Sequence, residues 1–379
     1  MTTKQIIARI LLWIPIFVIT LELCARVDDF ITYGAPFWER FDSQILYTYD
    51  ELGKRGKPYG QYQKWKLNSL GFRGPDLQPG KFRLACIGSS ETFGLYEAED
   101  NEWPRQLEKE LNRRASKPEF EVVNAAYPGM ALATSLKRLP ELMEKAQPKI
   151  VLIYPSVANY IWLPYLRPYD GTPPEQNKFQ LRMPDRIENL LKSSLPESIQ
   201  DRIRQYQMER AARDFSKIMD RVPEKNVERF QSDLKQMTDA IRKYGAQPVL
   251  VTHATRFGSE VQPPERPFLT AWRKFYPMLK EDGFLDMEKR MSAAMRELGA
   301  SENIPVIDAA RQMPSGKRYF VEFVHFTDEG AETLAKVVAD GLTPILRCTG
   351  EAKQPCLKTG GLAAAGGLSS ALPGGELPR

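Results

Sequence analysis

The chain has 379 residues and carries 53 Lys and Arg against 48 Asp and Glu, a formal net charge of +5. That length is sufficient to bury a complete α/β core. The basic stretches are short and lack interleaved aromatic residues, which excludes nucleic acid as the main partner. No Cys/His spacing in the sequence is typical of a structural zinc site.

The first predicted element is an apolar segment at residues 6–23, with Arg9 near one end and Glu22 near the other. About 18 such residues are just enough to span a hydrocarbon core. Lys4 and Arg9 favour a cytoplasmic N-terminus. We therefore predict an uncleaved membrane anchor over residues 1–27, with the bulk of the chain outside the cytoplasm. A cleaved signal peptide is the alternative, although no small residue lies three positions before a break near Ala25.

Residues 28–80 are rich in aromatics, Gly and Pro and predict an irregular approach segment. After it, apolar strands alternate with amphipathic helices, which predicts an α/β fold: a flavodoxin-like three-layer sandwich with a central parallel sheet. Strands are expected at residues 83–87, 119–124, 149–154, 248–252 and 305–308. Helices are expected at residues 102–114, 135–145, 227–244, 286–298 and 328–342, the last ending before Pro344.

Two further segments interrupt or follow this pattern. Residues 160–223 are too long for a simple connection and predict an insertion beside the site, helical over 185–221. Its Trp162, Tyr165 and Tyr169 either stack on a sugar ring or belong to an added surface layer. The tail at 347–379 has no periodicity and predicts disorder. Within it, Cys348 and Cys356 can form a disulfide in an oxidising compartment.

Residues 86–94, C-I-G-S-S-E-T-F-G, contain the strongest candidate for a nucleophile, Ser90. A buried strand that runs into a tight glycine turn and a helix start presents a hydroxyl at the carboxyl edge of a sheet. Backbone N–H groups also meet there and can stabilise an oxyanion. The same pattern occurs as a plain connection with a capping serine, so Ser90 needs partners elsewhere in the chain.

The chain has only two histidines, so a base for Ser90 must be His253 or His325. Glu322 precedes His325 by three residues, a spacing that a short loop can fold into a carboxylate–imidazole contact. His253 ends a predicted strand, where a structural role is favoured over a place in the pocket. Asp308, which also ends a strand, is the reserve candidate for orienting His325.

At these residues the chain resembles the SGNH (GDSL) hydrolase superfamily, in its membrane-anchored bacterial type. The resemblance covers residues 68–346 and rests on four separated blocks in the same order. It implies a hydrolase domain over residues 81–346 that needs neither a metal nor an organic cofactor. The family's functional residues correspond to Ser90, Gly129 in the turn N-A-A-Y-P-G, Asn159 in P-S-V-A-N, and His325 with Glu322. Three departures occur: Ser89 and Glu322 each replace an aspartate, and Tyr160 follows Asn159 where the family usually has aspartate.

The resemblance implies a serine esterase in which Ser90 attacks an ester, His325 takes its proton and Glu322 orients His325. The Ser90 and Gly129 N–H groups and the Asn159 amide would form the oxyanion hole. The membrane-anchored type implies a single-pass protein of a bacterial inner membrane, with its catalytic domain in the periplasm or otherwise outside the cytoplasm. At that location we expect the substrate to be an O-acyl group of an envelope or exported polysaccharide. The alternatives are an O-acyltransferase that uses the same residues and a catalytically silent binding protein of the same fold.

Overall fold

The computed structural model describes residues 3–115, 119–161, 180–213, 218–258 and 261–351. Its strands are β1 (Tyr47–Asp50), β2 (Gly53–Gly56), β3 (Gln61–Tyr62), β4 (Trp65–Lys66), β5 (Phe82–Gly88), β6 (Phe120–Asn124), β7 (Ile150–Tyr154), β8 (Gln247–Val251) and β9 (Val306–Ile307). Its helices are α1 (Thr3–Tyr33), α2 (Ser90–Phe93), α3 (Trp103–Arg114), α4 (Leu132–Ala146), α5 (Met183–Ser194), α6 (Glu197–Ala212), α7 (Glu224–Lys243), α8 (Arg266–Trp272), α9 (Glu281–Ser301), α10 (Ala309–Gln312) and α11 (Asp328–Glu351). Residues 1–341 form one compact unit and residues 342–379 a second. The fold and the site below belong to the first.

A five-stranded sheet forms the centre of this unit, in the order β6-β5-β7-β8-β9 with every pairing parallel. Counted along the chain this is the order 2-1-3-4-5, which is typical of flavodoxin-like folds. The predicted α/β class with a central parallel sheet is confirmed. The observed strand bounds differ from the predicted ones by at most one residue at each end, because each strand is an apolar run that ends at a turn.

Burial explains why the central strands are almost wholly apolar. All five residues of β7 are buried, as expected for a parallel strand covered on both faces. Helices α4, α7 and α9 pack against one another in sequence. On α7 the buried apolar positions recur at intervals of three and four residues, which places them on one helix face. These positions are Val227, Phe230, Leu234, Met237 and Ile241.

The segment predicted to be irregular, residues 28–80, contains regular structure, and that prediction is wrong in part. Strands β1 and β2 form one antiparallel pair, and β3 and β4 form another. Side chains of the main fold hold this segment in place. Arg138 on α4 pairs with Asp50 and donates to the Gly53 carbonyl at 2.6 Å, and the Tyr127 hydroxyl donates to the Gly71 carbonyl at 2.8 Å.

The N-terminal helix α1 continues past the predicted anchor to Tyr33, and its second half carries buried charges. Glu22 accepts the backbone N–H groups of Arg182 and Met183 at 3.0 Å each, and so caps the start of α5. Arg182 in turn lies 3.2 Å from Asp29. Among the helices in the described part of the chain, none is long and apolar enough to cross a membrane. The predicted membrane-spanning segment at residues 6–23 is therefore not supported.

Helices α5 and α6 lie within the predicted insertion, where a helical pattern was expected. Trp162, Tyr165 and Tyr169 lie outside the described residues. Helix α11 continues through Pro344 to Glu351, so the prediction that it ends before that proline is wrong. The rest of the predicted disordered tail, with Cys356, lies outside the described residues, and the side chain of Cys348 is also not described.

Candidate active site

The predicted site residues follow the carboxyl ends of neighbouring strands. Ser89 and Ser90 follow β5, Gly129 lies in the turn after β6, and Asn159 follows β7 in a 3₁₀ turn, Val157–Tyr160. The parallel register pairs Gly88, the last residue of β5, with Tyr154, the last residue of β7. These ends therefore meet at one edge of the sheet, which is where open α/β sheets bind ligands.

The turn that presents Ser90 depends on Gly88. A Cβ at this position would lie 2.1 Å from Thr92 Oγ1 and 2.9 Å from the Tyr154 carbonyl oxygen, so no larger residue fits. Ser90 is the first residue of α2 and is partly exposed, whereas Ser89 is buried. The Ser90 hydroxyl donates to Glu91 Oε2 at 3.3 Å. Of the two serines, Ser90 is the one that a substrate can reach.

Glu322 and His325 contact each other within the loop that precedes α11. Glu322 Oε1 lies in hydrogen-bond contact with His325 Nδ1 and also accepts the His325 backbone N–H at 2.9 Å. The same oxygen therefore holds both the ring and the backbone of the histidine. His325 Nε2 is buried and has no hydrogen-bond partner among the described residues. The described residues show no hydrogen bond between His325 Nε2 and Ser90, whose hydroxyl donates to Glu91 instead.

Two of the three predicted oxyanion donors have internal partners. The Gly129 N–H donates to Ser89 Oγ at 3.1 Å, and the Asn159 amide donates to the Met130 carbonyl at 2.8 Å. Gly129 adopts φ +81°, a conformation that L side chains rarely adopt. The Ser89 hydroxyl, at the sequence position where the family usually has aspartate, thus accepts a hydrogen bond from this turn. A substrate oxygen must share or displace these contacts.

His253, the other histidine, is fully enclosed between carboxylates. Its Nδ1 lies 2.9 Å from Glu288 Oε2 on α9, and its Nε2 lies 3.5 Å from Glu91 Oε1. Burial by itself would lower the pKa of His253, but the two carboxylates outweigh burial and raise it. Both ring nitrogens face acids, so His253 is not positioned to take a proton from Ser90.

Asp308, the reserve candidate for the acid, lies in a different network. It binds the Arg296 guanidinium through two hydrogen bonds of 2.8 Å and accepts the Thr252 hydroxyl at 2.9 Å. The Arg296 and Thr252 contacts outweigh partial burial and lower the pKa of Asp308. Its carboxylate is thus committed to an ion pair, whereas Glu322 contacts His325 directly.

Acidic residues also surround the open side of His325. Burial would lower the pKa of its imidazole, but the Glu322 contact and the charges of Glu91 and Glu97 outweigh burial and raise it. Tyr96 packs edge-on against the ring at a centroid distance of 5.3 Å. Burial raises the pKa of Glu97 to about 7. The site therefore favours a positive charge on His325, as a general base requires once it has taken a proton.

The sequence analysis did not identify Glu91, Ser156 or Glu288 as parts of this site. Glu91 follows Ser90 directly, and its burial in the first turn of α2 is the one local signal that points to it. The Ser156 hydroxyl donates to Glu91 Oε1 at 2.9 Å. Glu288 reaches the site from the middle of α9, with no motif around it.

A model of the family described as GDSL-like lipase/acylhydrolase matches residues 86–333, about two thirds of the chain. The chain belongs to this family. The matched range begins within β5 and contains Ser90, Gly129, Asn159, Glu322 and His325. As a GDSL/SGNH protein the chain is a hydrolase, and the recognition of the family from its separated blocks is confirmed.

Solved structures of GDSL hydrolases and esterases are similar to this GDSL chain at low identity. A lipase/acylhydrolase from Enterococcus faecalis is 17% identical, with 69% of this chain and 94% of that chain covered and a TM-score of 0.41. A catalytic mutant of an acetylxylan esterase from Geobacillus stearothermophilus is 12% identical, with 70% of this chain and 97% of that chain covered and a TM-score of 0.42. A GDSL-like lipase from Bacteroides thetaiotaomicron is 12% identical, with 69% of this chain and 88% of that chain covered and a TM-score of 0.39. Among curated protein sequences, none matches the chain.

Proposed function

We propose that this GDSL hydrolase is a serine esterase with Ser90 as nucleophile, His325 as general base and Glu322 as the acid that orients His325. The observation that carries the proposal is the Glu322–His325 contact, which leaves Nε2 buried and, among the described residues, without a hydrogen-bond partner. A neutral histidine that donates its Nδ1–H to an acid has an unprotonated Nε2, which can accept a proton. The departure from aspartate to glutamate at position 322 does not prevent this contact.

The reaction proceeds through an acyl-enzyme. Ser90 Oγ forms a bond to the ester carbonyl carbon while His325 Nε2 takes the hydroxyl proton, and the carbonyl electron pair becomes an oxyanion. Collapse of this intermediate breaks the ester C–O bond, and the leaving alcohol takes the proton from His325. Water then attacks the acyl group by the same route and releases the acid. Glu322 offsets the imidazolium charge in both halves of the reaction.

The oxyanion-hole donors Gly129 and Asn159 already have partners in the resting structure and can add a contact to a substrate oxygen. The backbone N–H groups of Ser90 and Gly129 and the Asn159 amide would stabilise the oxyanion. Gly129 and Asn159 donate to Ser89 Oγ and the Met130 carbonyl in the resting structure. The amide of Asn159 has a second N–H, and the Gly129 N–H can be shared between two acceptors. Neither donor has to leave its loop to contact a substrate.

For the substrate we propose an O-acyl group of an envelope or exported polysaccharide. Two sequence features support this class: the apolar run at residues 6–23 and the aromatic residues Trp162, Tyr165 and Tyr169 in the insertion. Aromatic faces are common platforms for sugar rings. Release of free acetate from an O-acetylated polysaccharide supports hydrolysis, whereas product that appears only with an added carbohydrate acceptor would make the enzyme a transferase.

The decisive experiment for the catalytic assignment is active-site labelling with a fluorophosphonate, combined with turnover of p-nitrophenyl acetate. Wild-type protein should be labelled at Ser90, and Ser90→Ala should lose both labelling and turnover. Ser89→Ala is the matched control because it removes the neighbouring hydroxyl and should keep the label. Undiminished labelling of Ser90→Ala, or a label on Ser89, would refute the assignment.

A location outside the cytoplasm is part of the proposal and rests on the apolar run at residues 6–23 with Lys4 before it. A reporter enzyme fused after Arg379 tests it, since a periplasmic reporter should be active and a cytoplasmic one inactive. Carbonate extraction then separates a retained protein from a mature one that begins near Ala25. A reporter active only in the cytoplasm would overturn the location.

A further inference from the structure

We infer that Glu91 is a further catalytic residue of this site, which orients the Ser90 hydroxyl and supports the charge on His325, and that His253 and Ser156 position Glu91. The inference rests on the proposed role of Ser90 as nucleophile. Nothing in the family's four blocks requires an acid at this position. The assignment comes from the contacts of the Glu91 carboxylate, which touches the reacting hydroxyl itself.

The two oxygens of Glu91 have separate partners. Oε2 accepts the Ser90 hydroxyl at 3.3 Å. Oε1 accepts the Ser156 hydroxyl at 2.9 Å and lies 3.5 Å from His253 Nε2. Glu91 itself is 2% exposed. A carboxylate with so little solvent is fixed by its protein partners, so its orientation toward Ser90 is determined by Ser156 and His253.

His253 is in turn held from three sides. Glu288 binds its Nδ1, and the Tyr154 ring packs against it with a centroid distance of 5.1 Å. The Tyr154 hydroxyl accepts the Ala254 backbone N–H at 3.0 Å, which fixes the chain next to the histidine. A buried carboxylate is costly unless a charge compensates it. His253 supplies that charge to Glu91, and the pKa of Glu91 is lowered to about 2 although burial alone would raise it.

Glu91 contacts Ser90 and interacts electrostatically with His325, and this gives it two effects on catalysis. Its carboxylate accepts the hydrogen bond of the Ser90 hydroxyl in the resting enzyme, which holds that hydroxyl in one orientation. When substrate displaces this contact, the hydroxyl turns to His325 Nε2. It also adds negative charge near His325, as do Glu322 and, above its pKa of about 7, Glu97; Tyr96 is a further titratable group that packs against that ring. A charge that stabilises the imidazolium lowers the barrier to proton transfer from Ser90.

Replacement of Glu91 by glutamine keeps its size and removes its charge. We expect Glu91→Gln to lower kcat for p-nitrophenyl acetate about tenfold with little change in KM, because a charge-assisted contact becomes a neutral one. The acid limb of kcat/KM should move to lower pH, since His325 loses a charge that raises its pKa. Glu91→Asp, which keeps the charge, should return the acid limb toward the wild-type position.

A role limited to packing would lower activity without moving the acid limb, and an unmoved limb in folded Glu91→Gln overturns the inference. Equal limbs for Glu91→Gln and Glu91→Asp also overturn it. Ser156→Ala serves if Glu91→Gln does not fold, because it removes one hydrogen bond and buries no new charge. It should lower kcat about threefold, and unchanged kcat and fluorophosphonate labelling would refute the positioning role.

The outcomes also separate this inference from the proposed function. Labelling and turnover that survive Ser90→Ala refute the function, and with it the role of Glu91. An inactive Ser90→Ala beside a Glu91→Gln with wild-type kcat and acid limb refutes the inference alone. Asp308→Asn is the matched control, because Asp308 also follows a strand of the sheet but binds Arg296 rather than Ser90 or His325.

Discussion

Two histidine–glutamate pairs lie at the same edge of the sheet, and they differ in what surrounds them. His325 contacts Glu322 through Nδ1 and keeps Nε2 without a hydrogen-bond partner among the described residues. His253 contacts Glu288 through Nδ1, and its Nε2 also has no hydrogen-bond partner among those residues, but it lies 3.5 Å from a carboxylate oxygen of Glu91. The His325–Glu322 pair lies in a partly exposed loop, whereas the His253–Glu288 pair is buried at the edge of the sheet.

The difference shows how the same two residue types acquire different roles. A histidine that contacts an acid through Nδ1 alone keeps Nε2 available and can exchange a proton with a hydroxyl. A histidine between two acids is held as a cation, because neutralising it would leave buried carboxylates without compensation. In both cases neighbouring carboxylates raise the pKa of the imidazole against the effect of burial. Only the number and position of those carboxylates separate a base from a fixed charge.

The largest predicted effect comes from exchanging the two histidines for glutamine in turn. His325→Gln should lower kcat by about 10⁵-fold or more, since it removes the proton acceptor. His253→Gln should lower it only about tenfold, through Glu91. Turnover of p-nitrophenyl acetate by folded variants measures both. Equal losses, or a larger loss for His253→Gln, would reverse the roles assigned to the two pairs.

Loss of the charge of Glu322 is expected to lower kcat less than loss of His325. Glu322→Gln should reduce kcat by about 10⁴-fold with little change in KM, as does loss of the equivalent charge in serine proteases. Glu322→Asp, which restores the family's usual residue, should keep much of the activity.

Asp308→Asn is the control for this acid series, because Asp308 is committed to Arg296. It should leave turnover close to that of the wild type. If Asp308→Asn abolished turnover in a folded protein while Glu322→Gln left it intact, the acid role would pass to Asp308.

The pH dependence of the free energy of unfolding distinguishes the buried His253–Glu288 pair from the partly exposed His325–Glu322 pair. The raised folded-state pKa of His253, about 10, contributes stability that is fully present below the unfolded pKa near 6.5 and is lost as the pH rises toward 10. His253→Gln should cost about 3–5 kcal/mol near neutral pH. It should also flatten this alkaline decline in urea unfolding. A parallel decline in wild type and His253→Gln would show that His253 is not the buried cation.

The smallest predicted effect concerns Ser89, which lies beside the nucleophile but faces the other way. Within the described part of the chain, the one hydrogen bond of its hydroxyl is accepted from the Gly129 N–H at 3.1 Å. Ser89→Ala should therefore lower kcat less than about tenfold. Fluorophosphonate labelling of Ser90 should persist. A loss as large as that of Ser90→Ala would mean that the Gly129 turn depends on this contact.

The parts of the fold and site that could be predicted from the sequence are those whose causes are local. The five strands of the sheet are apolar runs that end at turns, and Glu322 lies three residues from His325. The Glu91–His253–Glu288 network could not be predicted, because its members come from a helix start, a strand end and the middle of α9. Nor could strand β2, Gly53-Lys54-Arg55-Gly56, which has neither apolar alternation nor β-branched residues.

The predicted end of the N-terminal segment illustrates the same limit. The sequence predicts an irregular segment from residue 28 onward, but α1 continues through Asp28 and Asp29. In the structure their charges are matched by Arg186, and that of Asp29 also by Arg182, which keeps the helix intact to Tyr33. These arginines lie more than 150 residues away along the chain, so no window of the sequence contains both partners.

The cap that Glu22 provides for α5 has a consequence for the order of folding. Glu22 and Arg182 are separated by 160 residues, and the chain between them must be arranged before the cap can form. Contacts of such separation generally form late, after local helices and neighbouring strands. The N-terminus of α5 should thus be among the last parts to become protected from hydrogen exchange during refolding. Glu22→Gln should accelerate unfolding more than it slows folding, as is usual for contacts absent from the transition state.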